Sequence, residues 1–99
     1  MLHVRVTMTV TGFTEAEART GLPDLLDEFQ QRRWIVSPTA SWDSDRDCLA
    51  ITVHYESDDI EHCKLAATDE IWDCVIACVP FSSERISFTI EDSSHAQVA

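Results

Sequence analysis

Residues 2 to 11, LHVRVTMTVT, alternate apolar and polar side chains without a break, with Leu2, Val4, Val6, Met8 and Val10 on one side. Successive side chains of a strand point to opposite faces, so this pattern fits a half-buried strand and excludes a helix. His3, Arg5, Thr7, Thr9 and Thr11 then form the polar row. CLAITVHYE, residues 48 to 56, repeats the pattern, turning Leu49, Ile51, Val53 and Tyr55 inward and Cys48, Ala50, Thr52, His54 and Glu56 outward. ERISFTIE, residues 84 to 91, repeats it again with Ile86, Phe88 and Ile90 inward and Arg85, Ser87, Thr89 and Glu91 outward. In WIVSPTASW, residues 34 to 42, Trp34, Val36, Ala40 and Trp42 share one side, but Pro38 lacks the amide hydrogen that a central strand needs. That segment is predicted as an edge strand.

Two stretches between these strands carry the helical period. Thr14 followed by Glu17 is a capping-box signature, after which Ala18, Leu22, Leu25, Leu26 and Phe29 recur on one stripe as far as Arg33. Pro23 interrupts the stripe and predicts a kink, or a split with the main helix starting at Leu22. Asp58 with Glu61 repeats the capping pattern ahead of a second helix over residues 59 to 78, stopped by Pro80. Leu65, Trp72 and Ile76 widen the apolar arc of that helix beyond what one sheet covers, so a further contact on that flank is expected.

The order β-α-β-β-α-β is that of the ferredoxin-like split βαβ sandwich, an α+β fold. Right-handed crossovers place the strands as fourth, first, third, second, with both helices on one face. This arrangement puts the proline-bearing strand at an edge. Residues 1–92 are expected to form the single domain, and residues 93–99 a flexible tail.

Eighteen acidic and seven basic residues leave a formal net charge of −11. Such a surface repels phosphate backbones and anionic membranes, so neither nucleic acid nor membrane is an expected partner. The favoured opposite is a basic protein surface or a cationic ligand, although the charge also serves solubility. The opening residues lack the basic start and apolar block of a signal peptide, and no apolar run is long enough to span a bilayer. A cytoplasmic address follows, and with it free thiols for Cys48, Cys63, Cys74 and Cys78. With only Gly12 and Gly21, neither a P-loop nor a dinucleotide-binding turn can be written.

Three groups of residues remain as candidates for chemistry. Asp43, Asp45 and Asp47 alternate as in a calcium loop, but the places that need glycine and the twelfth-position carboxylate hold Cys48 and His54. They are read as a hairpin turn. Cys63, Cys74 and Cys78 share a helical stripe without a C-x-x-C pair, and are read as core thiols. No metal or cofactor is predicted. On the polar row, pairing Thr7 with Thr52 would set Arg5 beside His54 and His3 beside Glu56. That patch is a solvated face, a ligand site, or an enzyme site with His54 as base, Arg5 as anion clamp and His3 or Glu56 in support.

The topology, with Gly12 in the first loop, resembles the ACT-like regulatory domains. The resemblance covers most of the chain in topology and one residue, Gly12, in motif. It implies dimerisation and a small ligand bound near that glycine, which makes Gly12, Arg5, Thr7, Thr52 and His54 the candidate ligand contacts. The expected function is a small, acidic, non-catalytic binding or regulatory module. It would act as a homodimer or with a protein partner, through Leu65, Trp72 and Ile76 or through the polar sheet face.

Overall fold

The computed structural model describes residues 2–78 and 86–97. Its elements follow the order β1 (Leu2–Thr11), α1 (Glu15–Gln31), β2 (Val36–Asp43), β3 (Cys48–Glu56), α2 (Ile60–Cys78) and β4 (Ser87–Gln97). The four strands form one antiparallel sheet in the order β2-β3-β1-β4, so the fold is the ferredoxin-like βαββαβ sandwich. Val4, Val6, Met8 and Val10 of β1 face the helices beside Leu49, Ile51 and Val53 of β3, and all seven are buried. Ala18, Leu25 and Phe29 of α1 and Ala67, Ile71 and Val75 of α2 close over them. Full burial of each larger side chain stabilises the fold by about 1.5–3 kcal/mol, so this inner row fixes which sheet face the helices cover. No described helix is long and apolar enough to cross a membrane.

The first capping box forms as the sequence implies. Glu17 N donates to Thr14 Oγ1 at 3.1 Å, and Thr14 N donates to Glu17 Oε1 at 2.8 Å. At α2 the cap differs from the expected one: Asp59, not Asp58, accepts the His62 N–H at 3.0 Å, and the helix starts one residue later at Ile60. An N-cap carboxylate reaches forward to accept from the N2 or N3 amide, and Asp59 stands three residues before His62. Pro23 does not split α1, which runs unbroken from Glu15 to Gln31. Ala18 and Gly21 before the proline and Leu25 and Phe29 after it are all buried, and this shared packing holds the two halves in line at the cost of one backbone bond.

Two irregularities correct the strand expectations. The β2–β3 register advances three residues on β2, Val36 to Thr39, against two on β3, His54 to Thr52. This bulge takes up Ser37, at φ 49°, and Pro38, so the proline sits where no ladder bond is asked of it. Burial still alternates through it as expected, with Val36, Ala40 and Trp42 half-buried between the exposed Ser37, Thr39 and Ser41. Ala40 and Trp42 lie opposite the inward residues Ile51 and Leu49, whereas Val36 lies opposite His54 of the outer row. On the other side of the sheet, β4 continues past Glu91 to Gln97, pairing with β1 as far as Leu2, where a loose tail from residue 93 was expected. Backbone hydrogen bonding of β1 drives that extension, since a central strand left bare along half its length would have unpaired amides and carbonyls. A register shift between Thr7 and Met8 makes room for it. Pro80, Arg85 and the last two tail positions, 98–99, lie outside the described residues.

Gly12, which joins β1 to α1, has φ 105°, a region closed to residues with a Cβ atom. Gly12→Ala is therefore expected to destabilise the fold by about 1–2 kcal/mol, read as a lower urea midpoint with an unchanged m-value.

Candidate functional site

The outer sheet face assembles as the strand pattern implied. Thr7 pairs with Thr52, Arg5 with His54 and His3 with Glu56. The Thr7 and Thr52 hydroxyls meet at 3.2 Å, and His3 Nε2 lies 3.7 Å from Glu56 Oε1. The face is less open than its polarity suggests, because His3 is only 4% exposed and Nδ1 of both His3 and His54 is buried without a hydrogen-bond partner. Neither of two clefts described below is lined by Arg5, Thr7, Thr52 or His54, and Gly12 lines neither.

At the far end of this face, the aspartate-rich segment is a turn. Asp43 Oδ1 accepts from the backbone N–H of Asp45 at 3.1 Å and of Arg46 at 3.3 Å, and Asp47 closes the loop at φ 49°. The turn aims Arg46 across the sheet at β4, where its Nη2 donates to Glu91 Oε1 at 2.6 Å. Thr9 Oγ1 donates to the same carboxylate oxygen at 3.0 Å, and Thr9 is buried. Cys48, expected outward and exposed, is buried beside this bridge; its thiol is pushed up by desolvation, with Arg46 acting in the opposite direction.

The hydrogen bonds from Arg46 and Thr9 hold the Glu91 carboxyl below its ordinary range. A depressed carboxyl contributes stability above its unfolded pKa and loses it as pH falls through the folded one. Glu91→Gln is expected to flatten the fall of the urea midpoint on acidification from about pH 5 to about pH 3, a slope measurable by equilibrium unfolding.

The cysteines take their place in the core. Cys63 and Cys74 are buried and Cys78 half-buried, all without disulfides. Desolvation pushes the Cys74 thiol up to about 11 and raises Cys78 as well. Against the ordinary value of 9.0, Cys74 carries roughly a hundredfold less thiolate at neutral pH. Native protein treated with iodoacetamide should be alkylated slowly, Cys78 ahead of Cys74, with all four thiols reacting quickly once urea unfolds the chain, as peptide mass spectrometry would show.

Two clefts flank α2. The first, of about 580 Å³, runs between α2 and β4 and is lined by Met8, Lys64, Thr68, Phe88 and Ile90 among others. Beside it the three residues expected at an interface stand uncovered: Leu65 is 70%, Trp72 47% and Ile76 38% exposed. At about 100° per residue they span a stripe of about 40°. Trp72 leans on Phe88, with ring centroids 4.6 Å apart, which sets the stripe on the β4 side of the molecule.

The second cleft, of about 690 Å³, opens on the other flank of α2 and was not anticipated. Glu70 of α2 anchors it. One carboxylate oxygen accepts from the indole Nε1–H of Trp34 and the other from the hydroxyl of Tyr55 at 2.9 Å. Desolvation first, then the Glu70 carboxylate, raise the Tyr55 phenol above its ordinary value. Trp34, placed by its alternation among inward residues, lines this cleft beside the inward Tyr55 and is 57% exposed, two residues ahead of the start of β2 at Val36. The one local signal was Tyr55 itself, whose hydroxyl at an inward strand position requires a partner. Nothing in the spacing names that partner, since Glu70 lies 15 residues from Tyr55 and 36 from Trp34.

No family model, curated protein or solved structure matches the chain, so this geometry carries the functional reading by itself.

Proposed function

We propose that the chain is a non-catalytic binding module of the cytoplasm that works as a homodimer, joined along the flank formed by α2 and β4. The observation that supports this reading is the uncovered stripe of Leu65, Trp72 and Ile76 alongside an edge strand of 11 residues. Burying a side chain such as Leu65 contributes about 1.5–3 kcal/mol, whereas a polar cross-strand pair on the outer face contributes about 0.2–1 kcal/mol. The apolar flank is therefore the stronger contact surface of the two.

The two sheet edges differ in a way that favours a second copy as the occupant. The β2 edge is blunted by the bulge at Ser37 and Pro38. The β4 edge has no proline from Ser87 to Gln97 and pairs with no further strand among the described residues. Such an edge is a template for another strand, and a twofold axis beside it would pair β4 with its own copy in antiparallel fashion while bringing the two α2 stripes together. Glu61, Asp69 and Asp73 border the stripe and are exposed. In a homodimer they face like charges, so added salt should strengthen association; with a basic protein partner, salt would weaken it.

Sedimentation velocity over a range of protein and salt concentrations tests the reading. The expected result is a monomer–dimer equilibrium that shifts toward dimer with sodium chloride and is weakened at least about tenfold by Leu65→Glu. Ala16→Glu, on the exposed side of α1, should leave it unchanged. A monomer at every concentration and salt level would refute the proposal, as would a dimer indifferent to Leu65→Glu.

A further inference from the structure

We infer that the cleft between α2 and the β2–β3 side is a binding site for a small organic cation, an alkylammonium group held between the Trp34 indole and the Glu70 carboxylate. It is independent of dimerisation. Glu70 precedes Trp72 by two residues and so points about 140° away from the middle of the apolar stripe, toward the opposite flank of the helix.

Three properties of the cleft select this ligand class. Its volume, about 690 Å³, lies in the range of small-molecule sites. It is lined by two aromatic residues, Trp34 and Tyr55, and two carboxylates, Glu56 and Glu70, against a single guanidinium, Arg33. The face of an indole carries the negative part of the ring quadrupole and attracts cations, most strongly those that shed water easily, as alkylammonium groups do. The hydrogen bonds from Trp34 and Tyr55 take one lone-pair site on each Glu70 oxygen and leave the others for a ligand N–H. They also fix the carboxylate beside the indole, so the site is formed before the ligand arrives.

The surroundings favour the same sign of charge. The molecule carries a net charge of −11, and Asp58, Asp59 and Glu61 stand exposed where α2 begins, offsetting the positive end of the helix dipole near His62 and Cys63. An anionic ligand would meet two carboxylates and the repulsion of the whole surface, with only Arg33 and His62 to receive it. Trp34 is 57% exposed, a large aromatic surface that the fold itself does not bury.

The test is a titration of the ¹⁵N-labelled full chain with tetramethylammonium and n-butylammonium, followed through the Trp34 indole N–H resonance assigned with Trp34→Phe. Neutral neopentyl alcohol and anionic butyrate serve as controls. Both ammonium probes are expected to shift the Trp34 resonance and Tyr55 neighbours saturably, with affinity falling as sodium chloride rises, while the controls do not. Glu70→Gln, which keeps a carbonyl acceptor for the Trp34 indole and an NH2 that can donate to the Tyr55 hydroxyl but removes the charge, should weaken binding about tenfold or more. Trp34→Leu, followed at the Tyr55 amide, should weaken it about fivefold to thirtyfold. The inference is overturned if the ammonium probes produce no saturable shift, if neopentyl alcohol binds as well as tetramethylammonium, if butyrate binds better, or if Glu70→Gln, folded by circular dichroism, binds like the parent.

Discussion

The structure depends on one apolar row, contributed by the inner faces of β1 and β3. Val4, Val6, Met8 and Val10 meet Leu49, Ile51 and Val53 at the centre of the sheet, and every other element is placed by covering or extending that row. A shift of one residue in the pairing of β1 with β3 would turn the whole apolar set of the shifted strand toward water, so register and burial enforce one another. The helices follow because their own stripes need this row as a partner. The polar face follows as well: with the inner row fixed, Arg5 must stand beside His54 and Thr7 beside Thr52.

That dependence explains which parts of the molecule were legible in the sequence. Strand alternation and a single proline gave the topology and the register of the central pair, because both are set by side chains that repeat every second residue. The errors cluster where backbone hydrogen bonding outweighs side-chain pattern. Residues 93–97 carry no alternation worth the name, yet they pair with β1 because that strand has bonds to make. Ser37 and Pro38 form a bulge that no periodicity announces, and it shifts the β2–β3 register by one residue while leaving the alternation of burial in place. Burial on the outer face was also misjudged at Cys48 and His3, where a long side chain or a neighbouring strand provides cover that counting residues cannot show.

The charge of the chain is spread unevenly over its two layers. Glu15, Asp24, Asp27, Glu61, Asp69 and Asp73 are exposed on the helices. Arg19 offsets Glu15 and Lys64 offsets Glu61, which leaves the helices strongly acidic, whereas on the sheet face Arg46 meets Glu91 and His3 meets Glu56. The helical layer is thus the source of the negative field, and the uncovered apolar stripe and the Trp34 cleft both lie on its flanks. A field of this kind speeds the arrival of cations at the cleft and slows the approach of a second acidic molecule to the stripe. Contact between two copies must then be held by short-range apolar packing.

The bulge in β2 has a consequence for how such a chain can change. A strand without one transmits any insertion along its whole length, because adding a residue inverts the face of each position that follows. Here the extra residue at Ser37 and Pro38 is taken up within the bulge, so the pairing of Ala40 and Trp42 is set apart from the stretch carrying Arg33 and Trp34. Residues ahead of the bulge are free to lengthen, shorten or exchange side chains while Ala40 and Trp42 keep their seats opposite Ile51 and Leu49. Selection can remodel the mouth of the cleft through that stretch without reopening the question of how the sheet is built.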